Sequence, residues 1–447
     1  MRKTLALVVA VALAIVAGGS SALAGYSNTI RLAVGARQAG MGAAYRSIAD
    51  DGTAPLYNPA GMGFQEGSTV NFDNGIILAH INYEDPQNEF RPGTEGSAGV
   101  GAFPDFGIVH KFANWPFAIG FGSYNYSAIR MKYDITSTIL ASGGEQANFN
   151  FDLMHSRMIP SLAWQVNDSL SLGGGYIRAF QYFAQATPYQ FQGTVNPSAL
   201  TGVNFYTDFD STGWGQGGIF GALAKLGEKV RVGVSYTTKM VVKLKGRDEV
   251  TLRNNPGLIP FGISDGTRNN YAITLPWKWP QVLGTGISYQ ADEKWLLAFD
   301  WQWIDWSWAA DKQEYILDNG NNATVNAVVG NGTIRDNFKQ DARDAFIYHF
   351  GTEYKPKEHV ALRAGYIFSN NPVRSATLTP LFNGNFQHTI SLGFGTKLFG
   401  WELDNAWSHT FMNEQVVETS AIQGGEYNFS QTSNGNDIFF FSAKKRF

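Results

Sequence analysis

The residues able to do covalent or metal chemistry in this chain are few, and they are scattered. There is no cysteine, which removes thiol catalysis, disulfides and thiolate metal sites together. The seven histidines, at 80, 110, 155, 349, 359, 388 and 409, show no HExxH or other ligand spacing and read as ordinary strand and loop histidines. A serine nucleophile needs a base and an orienting group beside it. No G-x-S-x-G occurs, and the neighbours His155 and Ser156 would face opposite sides of a strand. Gly213-Trp-Gly215-Gln-Gly-Gly218 satisfies G-x-G-x-x-G without the strand–turn–helix that dinucleotide binding requires. Asp208-Phe-Asp210-Ser-Thr-Gly213 begins like a calcium loop, but Ile219 stands where the loop needs Glu. Lys+Arg 34 against Asp+Glu 37 leaves a net charge of −3, with no basic run that would suit nucleic acid. The expectation is a protein that binds or conducts, with no catalytic residues, cofactor or metal.

Composition says what kind of scaffold would do this. The chain has 447 residues, 14% of them aromatic, 50 of them glycine and only 16% charged, against about 25% charged in a soluble domain. Mean hydropathy is nevertheless −0.18, which excludes a bundle of apolar membrane helices. Aromatics and glycines without long apolar runs suit an all-β transmembrane barrel, whose strands alternate apolar-out with polar-in. The clearest strand is Trp295-Leu-Leu-Ala-Phe-Asp-Trp-Gln-Trp303, with Trp295, Leu297, Phe299, Trp301 and Trp303 on one face and Ala298, Asp300 and Gln302 on the other. Likewise Val232, Val234 and Tyr236 oppose Arg231, Gly233 and Ser235, and the aromatics of 346–354 oppose His349, Gly351 and Glu353.

Such segments lie near 68–82, 103–113, 116–133, 151–166, 169–186, 213–226, 229–247, 270–290, 294–316, 334–355, 358–372, 384–398, 400–418 and 426–447. They predict an antiparallel transmembrane β-barrel of fourteen strands, an even number as single-chain outer-membrane barrels have. The tight junctions 226–229 and 398–400 fit periplasmic turns. The longer polar stretches 187–212, 248–269 and 317–333 fit extracellular loops. The closing strand ends on Phe447, similar to the signal read by barrel-assembly machinery, although Lys445 stands where that signal has an aromatic residue.

The N-terminus differs. Arg2 and Lys3 precede 13 unbroken apolar residues, Leu5 to Ala17, and Ala22-Leu-Ala24 follows, the pattern of a secretory signal peptide over 1–24. Thirteen residues fall short of the roughly 20 that a spanning helix needs. Residues 25–66 are rich in glycine and alanine and lack sustained alternation, and 67–447 carries the strands.

Within that small-residue segment, GARQAGMGAAYRSIADDGTAPLYNPAG (35–61) resembles the N-terminal hatch of the FadL-type family of outer-membrane proteins, which import long-chain fatty acids and other hydrophobic compounds. VGVSYTTKMVVKLKG (232–246), the Trp-rich 295–308 and 338–374 resemble the same family in the same order. The resemblance implies a 14-stranded barrel in the outer membrane of a Gram-negative-type cell, its lumen holding a hatch over 25–66 within which Asp50, Asp51, Asn58, Pro59 and Ala60 match the family's motif. It further implies passive uptake. A hydrophobic small molecule is captured at outer loops, held in an apolar lumen pocket and released sideways near a kinked third strand. In 116–126 the kink would fall at Gly120 and Gly122, since glycine allows a bulge. Arg178 and Lys312 lie near the family's pocket cations and are the expected carboxylate ligands, with Arg157, Arg231 and Arg363 as alternatives. Phe191, Phe205 and Leu258 are candidates for the outer groove. Membrane lipid and assembly machinery are the other expected partners, and nucleic acid is not one. The competing reading is a general or substrate-specific porin or an adhesin barrel, for which the small-residue hatch would have no use.

Overall fold

The computed structural model describes residues 30–85, 94–95, 101–142, 144–193, 201–329, 332–381, 386–422 and 425–447; the expected signal peptide over 1–24 and residues 25–29 lie outside them. Its strands close into one antiparallel barrel of fourteen. β1 is Gly67–Glu84, and β2 runs in three pieces, Thr94–Glu95, Gly101–Ala102 and Asp105–Lys111. β3 is Phe117–Ser137, β4 Glu145–Gln165, β5 Leu170–Gln190 and β6 Asn204–Leu226. β7 comprises Val230–Thr237 and Met240–Leu252, β8 Arg268–Trp279 and Val282–Gln290. β9 comprises Trp295–Ile304 and Lys312–Asp318, β10 Ile334–Lys339 and Ala345–Lys357. β11 Val360–Ser369, β12 His388–Leu398, β13 Trp401–Val416 and β14 Gln431–Arg446 complete the wall. β14 pairs with β1 from Thr69↔Arg446 to Glu84↔Gln431, so the last strand closes on the first.

All fourteen segments expected from alternation are strands, in order. The outer ends of β3 to β7 run further than expected, because these strands keep alternating past the membrane into the loop region, while β11 to β14 stop a few residues short. The expected lipid-facing side is the outer one: Trp295 and Leu297 are exposed while Ala298, Asp300 and Gln302 are buried. Short turns such as 227–229 and 399–400 and the chain's end share one rim, which is the periplasmic one.

Residues 30–66 sit inside the barrel. They carry two short helices, α1 (Ala36–Gly40) and α2 (Ala54–Tyr57), and a 3-10 turn over Pro59–Phe64. The small residues of the segment meet small residues of the wall. A Cβ on Gly365 would stand 2.1 Å from the Gly42 nitrogen, and one on Gly351 would stand 2.3 Å from the Met41 carbonyl oxygen, so backbone packs on backbone.

Candidate functional site

Polar side chains of the wall grip the inner segment. Arg37 donates to Glu353 at 2.9 Å, and Arg363 donates to the same carboxylate at 2.7 Å and to Asp404 at 2.8 Å. On the adjacent strand β9, Asp300 accepts the backbone N–H groups of Tyr45 and Arg46, both at 2.9 Å. Each of these carboxylates is an inward residue of a strand whose other face is aromatic, so the pattern that meets lipid also aims the anchors. Asn58 Nδ2 donates to the carbonyls of Arg46 and of Ala222 on β6, and its Oδ1 accepts from Ala60 N. The Asn58-Pro59-Ala60 turn is therefore tied both to its own segment and to the wall. Of the expected acidic pair, Asp51 is held within the segment by Gln38 and Thr53. Asp50 meets Arg37 at 2.6 Å. Burial would raise the Asp50 pKa, but Arg37, Lys444 and Tyr45 together hold it well below the usual carboxylate range.

Above this segment lies an apolar chamber. Phe183, Phe209, Leu275, Trp277, Leu317 and Phe338 are among its lining, around a narrow cavity of about 60 Å³. Its rings meet edge-on or tilted, Phe183 against Trp277 at 4.9 Å and against Phe209 at 5.2 Å between centroids. Apart from tyrosines, its one ionisable lining residue is Asp248, which accepts from Thr207 at 2.7 Å. A second apolar cavity opens outward from it among the loops, lined by Phe191, Val203, Leu252, Leu258, Ile263 and Val325. Phe205 and Leu317 line both. The loop residues Phe191, Phe205 and Leu258 expected from sequence are thus brought together.

The floor of the chamber is a polar–aromatic layer. Gln181 Oε1 accepts from Trp279 Nε1 at 2.7 Å and lies 3.2 Å from His155 Nδ1, and the His155 and Trp279 rings stack at 4.1 Å. Beneath it Arg157, buried, stacks its guanidinium 3.3 Å from the centre of the Tyr126 ring. Arg157 forms no ion pair among the described residues, and with Arg31, Tyr57 and Tyr126 it lines a cavity between the inner segment and the wall.

Three expectations are corrected here. Arg178 lies between the buried Ile177 and Ala179, so alternation turns it out of the barrel, where its guanidinium sits 4.8 Å over the exposed Trp214. Lys312 is likewise outward, because Gln313, Tyr315 and Leu317 take the lumen side, and it pairs with Glu314 at 3.4 Å. Neither faces the chamber. Gly120 and Gly122 lie in regular ladder, opposite Val109 and Gly107. The register shift of β3 falls between Asn125 and Ser127. A Cβ at Gly120 would strike Met62 Sδ at 2.4 Å, so that glycine makes room for the inner segment. Of the alternative cations, Arg363 is occupied by Glu353 and Asp404; Arg157 and Arg231 take lumen positions without an ion pair among the described residues, Arg231 at the periplasmic end beside Gly233 and Arg157 beneath the chamber.

Around the bulge the described residues leave β3 without a strand partner on its β2 side. β2 pairs with β3 from Lys111↔Ala118 only to Phe106↔Ser123; beyond it, β3 has no β2 partner among the described residues. There the backbone N–H of Arg31 donates to the Tyr126 carbonyl at 3.0 Å, and its guanidinium bridges Asp105 (2.7 Å) and the Asn125 carbonyl (3.0 Å). The inner segment, rather than a strand, closes this edge.

The aromatic chamber and Trp279 were not read from the sequence, although Leu275, Trp277 and Trp279 alternate with Pro276 and Lys278 and so carried the signal. A closed barrel with an apolar outer belt, an occupied lumen and apolar cavities in series defines an outer-membrane channel for hydrophobic compounds. The chain belongs to the outer membrane protein transport protein family (OMPP1/FadL/TodX), whose model matches residues 15–447; it is an outer-membrane transport protein and not an enzyme. A protein of Neisseria meningitidis serogroup B named as an outer membrane protein, NMB0088, is 25% identical over 408 residues, 85% of this chain and 84% of the relative. The fold is similar to that of a Pseudomonas aeruginosa FadL homologue, with TM-score 0.75 and 17% identity over 95% of this chain and 100% of that one. It is also similar to the P. putida toluene transporter TodX, with TM-score 0.72 and 18% identity over 92% and 98%.

Proposed function

We propose that the protein takes up long-chain fatty acids or similar hydrophobic compounds passively, by capture at the outer-loop cavity, passage through the aromatic chamber and sideways release near the third strand. The observation that carries this reading is the pair of apolar cavities joined at Phe205 and Leu317. Residues 25–66 serve as the hatch, seated by Asn58-Pro59-Ala60, and the strand ending at Phe447 is the part met by assembly machinery. A lateral route suits the cargo. A fatty acid favours the bilayer over periplasmic water by about 0.8 kcal/mol per CH₂, more than about 10 kcal/mol for a C16 chain. The exit is the β2–β3 gap beside Arg31 and Tyr126. An acyl tail or aromatic ring fits the chamber, whose Asp248 disfavours a carboxylate there; the carboxylate is met deeper, by Arg157.

Equilibrium binding of labelled oleate to the detergent-purified protein tests the chamber. Leu275→Trp fills it and is expected to weaken binding at least about tenfold, the loss of roughly 1.4 kcal/mol. Unchanged affinity in the folded variant would place the cargo elsewhere.

A further inference from the structure

Four of the basic side chains that face away from the lumen gather in one place. By the pairing register, Arg178 on β5 stands opposite Gln216 on β6, and Lys278 on β8 stands opposite Val241 on β7. Lys243 follows Val241 by two residues on the same outward face and pairs with Pro276; Lys245 follows again, between Thr212 and Thr274. Four cations on β5, β7 and β8 thus gather around β6 at neighbouring levels. Arg178, Lys243 and Lys245 are exposed and Lys278 is half-buried. None of the four forms an ion pair among the described residues, whereas the adjacent Lys239 is taken by Asp305 at 2.9 Å.

Acids begin only at the patch's borders. One level further out, Asp210 stands opposite Arg247 and Ala184, and Asp152 is bound by Arg130 at 2.6 Å. On the β9 side Glu314 is held by Lys312. The level of the patch is set by tryptophans. Phe220 and Trp214 are exposed on β6, and beyond Trp214 the outward residues turn polar, as Thr212, Asp210 and Asp208. Trp214 therefore marks the outer aromatic girdle, where the hydrocarbon ends and head groups begin. Arg178 stacks over Trp214, and Lys278 lies 5.7 Å from the centre of the Trp308 ring.

Unpaired cations at head-group depth on a lipid-facing wall need an anionic partner supplied by the lipid itself, and phosphate is the group that several Lys and Arg donors best share. We propose that Arg178, Lys243, Lys245 and Lys278 form a docking site on the outer wall for a lipid of the extracellular leaflet that bears phosphate groups on its head. The girdle rings seat the glycerol or sugar level, and the cations take the phosphates. The site holds a structural lipid beside the strands that line the aromatic chamber and is separate from the cargo path.

Native mass spectrometry of the purified full chain tests it, with bis-phosphorylated lipid A and its fully dephosphorylated form as probes. The site predicts at least fivefold greater retention of the phosphorylated probe, falling in 0.5 M salt and resisting 10 mM inorganic phosphate. Retention should drop to the dephosphorylated level in the quadruple variant Arg178→Gln, Lys243→Gln, Lys245→Gln, Lys278→Gln. It should not drop when four exposed lysines of the periplasmic rim (Lys229, Lys294, Lys357 and Lys397) are changed to Gln. Equal retention of the two probes by the unaltered protein overturns the proposal, a result independent of whether the variant folds. Full displacement by inorganic phosphate overturns it too, since the site would then take the free ion.

Discussion

Glu353→Leu combined with Asp300→Leu is expected to turn a closed barrel into one that conducts ions in planar bilayers. The two carboxylates lie on β10 and β9 and face the lumen fully buried. One holds Arg37 of the inner segment and Arg363 of the wall; the other holds two backbone N–H groups and the Arg46 guanidinium, at 3.3 Å. Removing one partner of a buried ion pair typically costs about 3–5 kcal/mol, because the remaining charge is left without compensation. Here the loss falls on the contact between segment and wall, since the strands keep their backbone ladders. The double variant should therefore still resist dissociation as a barrel while its inner segment becomes open to protease. Deleting residues 25–66 should give the same conductance. A closed double variant and a closed deletion would both deny that the segment plugs the lumen.

The second large effect concerns charge. Arg157→Leu is expected to lower uptake of oleate by about 10- to 100-fold and to leave uptake of toluene within a factor of two. The range follows from a hydrogen bond to a charged group, worth about 1.5–3 kcal/mol, at 1.4 kcal/mol per tenfold change. Arg157→Lys keeps the charge but loses the planar stack on Tyr126, and should fall between. Parallel loss of both substrates would show that Arg157 only supports the wall. Equal uptake of both by the Leu variant would remove it from the path.

Much of the fold was legible because a period of two states which face meets lipid. Trp295 to Trp303 needed no partner to declare its outer side, and the same count put Glu353, Asp300 and Arg363 in the lumen. Local geometry was legible where it rests on a short motif, as at Asn58-Pro59-Ala60, whose cap follows from an Asn-Pro turn. They failed where one residue of register decides the outcome. Arg178 has the right residue type on the right strand, yet its neighbours Ile177 and Ala179 occupy the lumen side, and a strand cannot turn two successive side chains inward. The kink was sought at glycines, whereas the bulge came at Asn125–Ser127, where Asp105 and Arg31 satisfy the backbone that β2 leaves unpaired. That compensation joins residues 74 to 94 positions apart, beyond the reach of any local pattern.

The central claim is that hydrophobic cargo crosses by way of the aromatic chamber. Uptake of labelled oleate by cells lacking their own importer measures it most directly, comparing the native chain, Leu275→Trp and no protein. The account predicts saturable uptake with the native chain and a fall toward background with Leu275→Trp. Uptake no greater than background, with the native barrel shown to be folded in the outer membrane, or full uptake through the filled chamber, would contradict it.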